Sequence, residues 1–226
     1  MDKRFFIKIY DLDGTYRKTL NPSLLMREPS FSDKIGGGQG QCVLQLNLAI
    51  DDFGEGTDID HMKVVKIYES DQVNNPEPVL IYTGFISAFK PSVSDKGESV
   101  SITLLGLVSM LTFGFYKSGS AYTFTKTAVD PADIIKEIID TFAAVYTGGW
   151  ISYSGGGIDT VGTPITFEYA TMRWYDALKK TAAFADEDWW WRVGEDGQVT
   201  LQDRPATVTH ILTLGKDVEM LEAPKS

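Results

Sequence analysis

Asp11-Leu12-Asp13-Gly14-Thr15, directly after the strand-like run Arg4–Tyr10, is the stretch best equipped for chemistry. Two aspartates one residue apart suit phosphoryl transfer. The first attacks phosphorus, the second moves a proton, and Mg²⁺ neutralises the phosphate. The same five residues also suit a tight turn, because Asp and Gly are what turns need. Context selects the turn. A phosphatase of this kind needs helices alternating with strands soon afterwards, and Thr15–Leu105 shows no long helical pattern. Lys8 interrupts the preceding run, whereas a central parallel strand is apolar on both faces. The next acidic pair, Asp51-Asp52, comes too early to be a distal metal-binding motif.

The other candidates are weaker. Asp51–Asp60 gathers Asp51, Asp52, Glu55, Asp58 and Asp60 just before His61. Such density offers oxygens to Ca²⁺, but the spacing is not that of an EF-hand and no helices flank it, so a solvated acidic loop is expected. Asp186-Glu187-Asp188 beside Trp189-Trp190-Trp191 holds the parts of a glycosidase, carboxylates and a sugar platform. Those acids are consecutive, however, and three successive tryptophans on a strand divide between its two faces. Ile35–Gln41 is Gly-rich but lacks the Lys-Ser/Thr of a phosphate loop and opens no helix. The histidines are His61 and His210, and no serine sits in G-x-S-x-G, so a Ser-His-Asp or Cys-His site has no support. His210 reads as a packed residue in an apolar strand. Cys42 is the single cysteine, which leaves no intrachain disulfide and no cysteine-ligated zinc. The expectation is a chain with no catalytic, cofactor-binding or metal-binding residues.

Composition agrees with a structural or binding role. A formal charge of −10 with no basic block argues against nucleic acid or anionic membrane as the primary partner. Hydrophobic content of 43% over 226 residues supports real cores. No window approaches the roughly 18 apolar residues of a membrane span, and Lys8 breaks the opening run too soon for a signal-peptide core. A soluble protein made in a cytoplasm is expected.

The elements that position these residues are mostly strands. Arg4–Tyr10, a partner from Tyr16, Phe31–Ile50 around a Gly-rich bend, Lys63–Glu69, Val79–Phe89 and Glu98–Leu105 are separated by turn residues, the pattern of a barrel or sandwich. Leu44, Leu46, Leu48 and Ile50 share one face of their strand. Gly106–Leu111 reads as a short helix and Tyr116–Thr127 as a linker or an arm reaching a neighbour. Asp130-Pro131-Ala132-Asp133 starts a helix whose buried face is Ile135, Ile138, Ile139, Phe142 and Val145. Trp150–Ser154 and Pro164–Tyr169 supply short strands around the flexible Gly155-Gly156-Gly157. Thr171 caps a second helix with the stripe Trp174, Tyr175, Leu178, Ala182 and Ala185, its Arg173, Lys179 and Lys180 facing away. A Trp-rich hairpin follows, turning at Asp196-Gly197. A two-residue turn there pairs Gly194 with Val199, Arg192 with Leu201 and Trp190 with Asp203. It sets Trp190 on the Trp174/Leu178 face. Val208–Leu214 and Gly215–Val218 close the chain with a strand and a turn.

T-x-x-W-x-x-A-L-x-x-x-A, an aromatic run, D-G, a strand and a Pro resemble the hub proteins of phage tails. These are the late-control-D-like proteins of long-tailed phages and contractile injection systems. The stretch S-F-S…I-G-G-G-Q-G-Q and its following strand, Y-T-G-F-I with S-I-T-L-L-G, and D-P-A-D-I-I are similar to the same family. The resemblance implies an antiparallel tail-tube-like β-barrel over 1–115 and an α+β domain with two helices and the Trp hairpin over 116–226, where a last strand at 208–222 returns to the first domain. It implies a non-enzymatic virion component at the tail tip, a homotrimeric ring between the tail tube or distal tail proteins and a fibre or spike. DNA is a passing cargo, and nothing inserts into a membrane. Hub proteins run longer than this chain, which stops at Ser226. The alternative is a carbohydrate-binding module that contacts a cell surface through Trp150 and Trp189–Trp191.

Overall fold

The computed structural model describes residues 3–34, 37–71, 75–95, 97–185 and 189–203. The expected strand at 208–214, the turn at 215–218, His210, Pro205 and Asp186-Glu187-Asp188 lie outside them.

Seven strands build the first half: β1 (Lys3–Tyr10), β2 (Tyr16–Leu20), β3 (Ser30–Lys34), β4 (Gly37–Leu46), β5 (Val64–Asp71), β6 (Asn75–Ser94) and β7 (Gly97–Gly106). A 3-10 turn at Leu107–Thr112 leads to β8 (Phe115–Tyr116) and β9 (Thr123–Val129). Then come α1 (Pro131–Val145), β10 (Ile165–Ala170), β11 (Met172–Arg173), α2 (Trp174–Ala182), β12 (Trp189–Val193) and β13 (Val199–Asp203). The fold is mainly β with a small helical layer.

The main sheet runs β13-β12-β4-β7-β6-β5-β1-β2, with β3 also on β4. Among the described residues, each pairing between these strands is antiparallel except β12 on β4. Irregular registers at Ile67/Tyr68 and Ile86/Ala88 bend it, as bulges do. The strand ladder does not close into a barrel among the described residues. Instead the segment after β2 reaches across to β4: Met26 N donates to Gln45 O at 2.9 Å and Asn47 N to Leu24 O at 2.8 Å. The curved interior holds an aliphatic core from alternating positions, among them Ile7, Ile9, Leu44, Leu46, Ile67, Ile102 and Leu104. Leu48 is buried with them, whereas Ile50 lies beyond the strand's end in a 3-10 turn and is exposed.

The outer face carries a second core. There Val64, Phe85, Leu107 and Met110 meet α1, α2 and the β12–β13 hairpin. Asp130 caps α1 by accepting from Ala132 N at 2.9 Å, and Pro131 occupies the first turn. Ile134, Ile135, Ile138, Ile139 and Phe142 are buried. Val145, expected among them, is 56% exposed, because the helix ends there and its last turn leaves the core.

Three other expectations are corrected. Thr171 does not cap α2. Met172 and Arg173 are drawn into β11 by pairing with β8, so the helix starts at Trp174 behind Arg173, with no side-chain cap. Its buried stripe is Trp174, Ala177, Leu178, Thr181 and Ala182, and Tyr175 is half-buried. Tyr116–Thr127 is no linker, since Tyr116 is fully buried and Thr123–Val129 pairs with β10. Trp150–Ser154 is no ladder strand. It runs beside β13 instead, with Val199 N donating to Ser152 O at 2.7 Å, and Gly157 further on accepts from Leu201 N at 2.9 Å.

The hairpin register differs by one residue. Val193 pairs with Val199, Trp191 with Leu201 and Trp189 with Asp203. The turn is longer than two residues: Gly194 N donates to Gln198 O at 2.9 Å and Gly197 N to Gly194 O at 3.0 Å. A one-residue slip reverses every side chain. Trp191, Val193, Val199 and Leu201 are therefore the buried set, and Trp190 lies on the other face, half-buried. Gly197 holds φ +83°, and a Cβ there would strike Trp150 O, so a larger residue is excluded twice over.

Candidate functional site

Asp11–Thr15 forms the turn between β1 and β2, closed by Asp11 N donating to Thr15 O at 2.8 Å and Gly14 N to Asp11 O at 3.0 Å. The Asp11 carboxylate is held by the Arg17 guanidinium and the Lys63 ammonium, which keep its pKa below the usual carboxylate value. Asp13 Oδ1 accepts from Thr15 N at 2.9 Å, and that bond likewise lowers its pKa. Both aspartates thus serve the turn. The strand they follow is antiparallel to both neighbours, unlike the central strand of a phosphatase.

The acidic loop hangs from the C-terminal end of β4. Its buried anchor is Ile59, and Asp60 accepts from Gly56 N at 3.1 Å and His61 N at 2.6 Å. Ile50 N donates to Glu98 Oε2 at 2.7 Å, which ties the loop to the start of β7. Asp51, Asp52, Glu55 and Asp58 remain exposed. Among the described residues no three His, Cys, Asp or Glu side chains converge as a metal-ligand set.

The tryptophans form a layer rather than a platform. Trp150 is 6% exposed, donates from Nε1 to Leu12 O at 2.6 Å and meets Tyr10 edge-on at 5.8 Å. Trp174 is buried and donates from Nε1 to Thr141 Oγ1 at 3.2 Å. Trp191 is 8% exposed and packs against Tyr175. Sugar stacking on Trp150 and Trp191 therefore has no accessible face; Trp189 and Trp190 keep part of theirs.

The surface feature that sequence reasoning left unconnected is at the opposite end of β4. An open groove of about 550 Å³ lies beside the start of α2, lined by Phe115, Met172, Arg173, Asp176, Lys179 and Lys180 among others. Its three cations were legible as the polar face of the helix. Phe115, 47% exposed and edge-on to Tyr122 at 6.3 Å, carried no periodic signal because β8 is two residues long.

No protein-family model and no curated protein matches the chain. Solved structures do. The tail protein from Neisseria meningitidis MC58 aligns over 89% of this chain with a TM-score of 0.58 and 13% identity. A chain of the Francisella PdpA-VgrG complex in its lidded form aligns over 89% with a TM-score of 0.53 and 14% identity. The 43 kDa tail protein of prophage MuSo2 from Shewanella oneidensis aligns at 0.49 and 12%, too loosely to argue from. The chain spans about half of the Neisseria protein (51%) and 28% of the Francisella chain. At these identities the likeness is one of fold, shared with the Neisseria tail protein and with a chain of the PdpA-VgrG complex.

Proposed function

We propose that the chain is a structural component of a phage-type tail tip or baseplate hub. In this reading it forms a ring, a homotrimer, that joins the tail tube or distal tail proteins to a fibre or spike. The ring lets DNA pass, sits in the virion after assembly in a host cytoplasm and performs no catalysis. The division at 1–115 and 116–226 belongs to the same reading. The observation that carries it is the tail-protein fold over 89% of the chain. The geometry adds support: the aspartates best placed for phosphoryl chemistry are occupied by turn and ion-pair duties.

The charge suits a conduit. Lys and Arg contacts to phosphate would hold passing DNA, whereas 31 acidic against 21 basic residues favour a wall that repels it weakly. Two measurements test the reading. Electron microscopy of the particle containing this chain is expected to place it in a ring at the tail tip. Duplex DNA titrated at low salt is expected not to bind. A location outside the tail overturns the hub, and micromolar DNA affinity that falls steeply with salt overturns the conduit.

A further inference from the structure

We infer that copies of this chain associate head to tail, the acidic loop of one seating in the basic groove beside α2 of the next. The inference rests on the ring reading and specifies its contact.

The two surfaces lie at opposite ends of one rigid ladder. The loop follows Leu46, the last residue of β4, and is fastened to the start of β7 by Glu98. The groove belongs to the other end. There Gly37–Gly40, Ser109 and Tyr175 of α2 line one cleft, and β7 runs out into the 3-10 turn that α2 packs on. β4 is 10 residues long, so the ends stand roughly 30 Å apart. A single copy cannot bring them together.

Their charges are complementary and unspent. Arg173, Lys179 and Lys180 are exposed and make no ion pair among the described residues. Among the described residues lining the groove, Asp176 is the one carboxylate against these three cations, on a chain of net charge −10. On the loop, Asp51, Asp52 and Glu55 are exposed and have no ion-pair partner among the described residues, and Asp58 has only Lys18 at 3.8 Å. Half-exposed Phe115 gives the groove an apolar patch for the loop's uncharged atoms. Two different patches on one chain make a heterologous contact, which closes into a ring when the rotation allows. Opposite charge fixes partner and register there more than it adds affinity.

Charge reversal tests this in the full chain. The wild type is expected to sediment as a closed oligomer at low salt and to dissociate as screening tightens. The triple variant Arg173→Glu, Lys179→Glu, Lys180→Glu, or the triple variant Asp51→Lys, Asp52→Lys, Glu55→Lys, raises the dissociation constant about tenfold or more. Both triples combined in one chain restore assembly. As a check independent of refolding, Asp52→Cys with Lys180→Cys gives intermolecular disulfides under mild oxidation. Cys42 does not compete, being fully buried, and burial pushes its thiol up to about 12. Unchanged assembly in either single-surface variant, or no disulfide between copies, overturns the contact. A monomeric wild type overturns it as well. If microscopy still places the chain in a tail-tip ring, the hub reading survives and another surface makes the ring.

Discussion

The two cores on either face of the main sheet are built by different rules. Inside the curve the side chains are chiefly aliphatic and arrive by strict alternation along β1, β4, β5 and β7. Their positions follow from the pleat, and any branched apolar residue of similar volume would serve. On the outer face buried aromatics are set among the aliphatic residues, and the Trp and Tyr members carry polar handles that must find partners. Trp150 donates to Leu12 O, Trp174 to Thr141, Tyr116 to Glu137, and Tyr169 pairs with Thr181 at 2.6 Å. Burial pushes the Tyr116 hydroxyl pKa up, and the nearby Glu137 carboxylate adds to the effect. The inner core is specified by spacing. The outer one depends in addition on several hydrogen bonds between residues distant in the chain, where the inner one has Tyr82 donating to Gly40 O.

Four measurements sharpen or break that contrast. Trp191→Ala is expected to cost about 3–5 kcal/mol in denaturant unfolding, whereas Trp190→Ala, on the half-buried face, costs about 1 kcal/mol. Equal losses would mean that the hairpin register drawn here is wrong. Leu104→Ala, fully buried in the aliphatic core, should cost about 2–5 kcal/mol, and Leu104→Met less than about 1.5 kcal/mol. A severe penalty for the methionine would show that spacing and volume do not suffice on the inner face. Asp130→Ala removes the α1 cap and the acceptor for Val161 N and Gly162 N, a loss of about 1–2 kcal/mol, and Asp130→Asn should recover part of it.

The smallest effect is at Asp11. Its folded pKa is lowered, first by the Arg17 bond and then by Lys63, so its contribution is complete at neutral pH. The contribution fades as pH falls below the ordinary value of 3.8 towards the lowered folded one. Asp11→Asn should flatten only that acid limb of a stability-versus-pH curve. A change at neutral to alkaline pH in the slope of that curve would contradict the assignment.

The inner core was readable in the sequence because alternation is local: Leu44 and Leu46 declare their own face, and the D-L-D-G-T turn could be chosen from its neighbours. Ile50 misled, since the alternation continues in the letters after the strand has ended. The outer face was readable only in part. The start of α1 was evident from Asp130-Pro131, but the start of α2 depends on Phe115–Tyr116, more than fifty positions earlier, taking Met172 and Arg173 into a strand pair. The hairpin slip has a similar origin. Asp-Gly suggests a two-residue turn, while Ser152 and Gly157 hold Val199 and Leu201 from the side and thereby set which face is buried. The groove beside α2 joins a helix face to an isolated Phe115, a conjunction that no window of sequence contains.

The outer core also sets a schedule for biosynthesis. Val64, Phe85, Leu107, Met110 and Leu111 are covered by segments ending at Leu201, 90 residues after Leu111. At about 5–20 residues per second, a ribosome leaves that apolar face bare for about 5–20 s after its strands could have paired. The aliphatic interior needs no such wait, because all its contributors precede residue 105. A nascent sheet with a finished inside and an unfinished outside is a natural client for a holding chaperone, and depletion of such a factor should lower the soluble yield before it lowers stability.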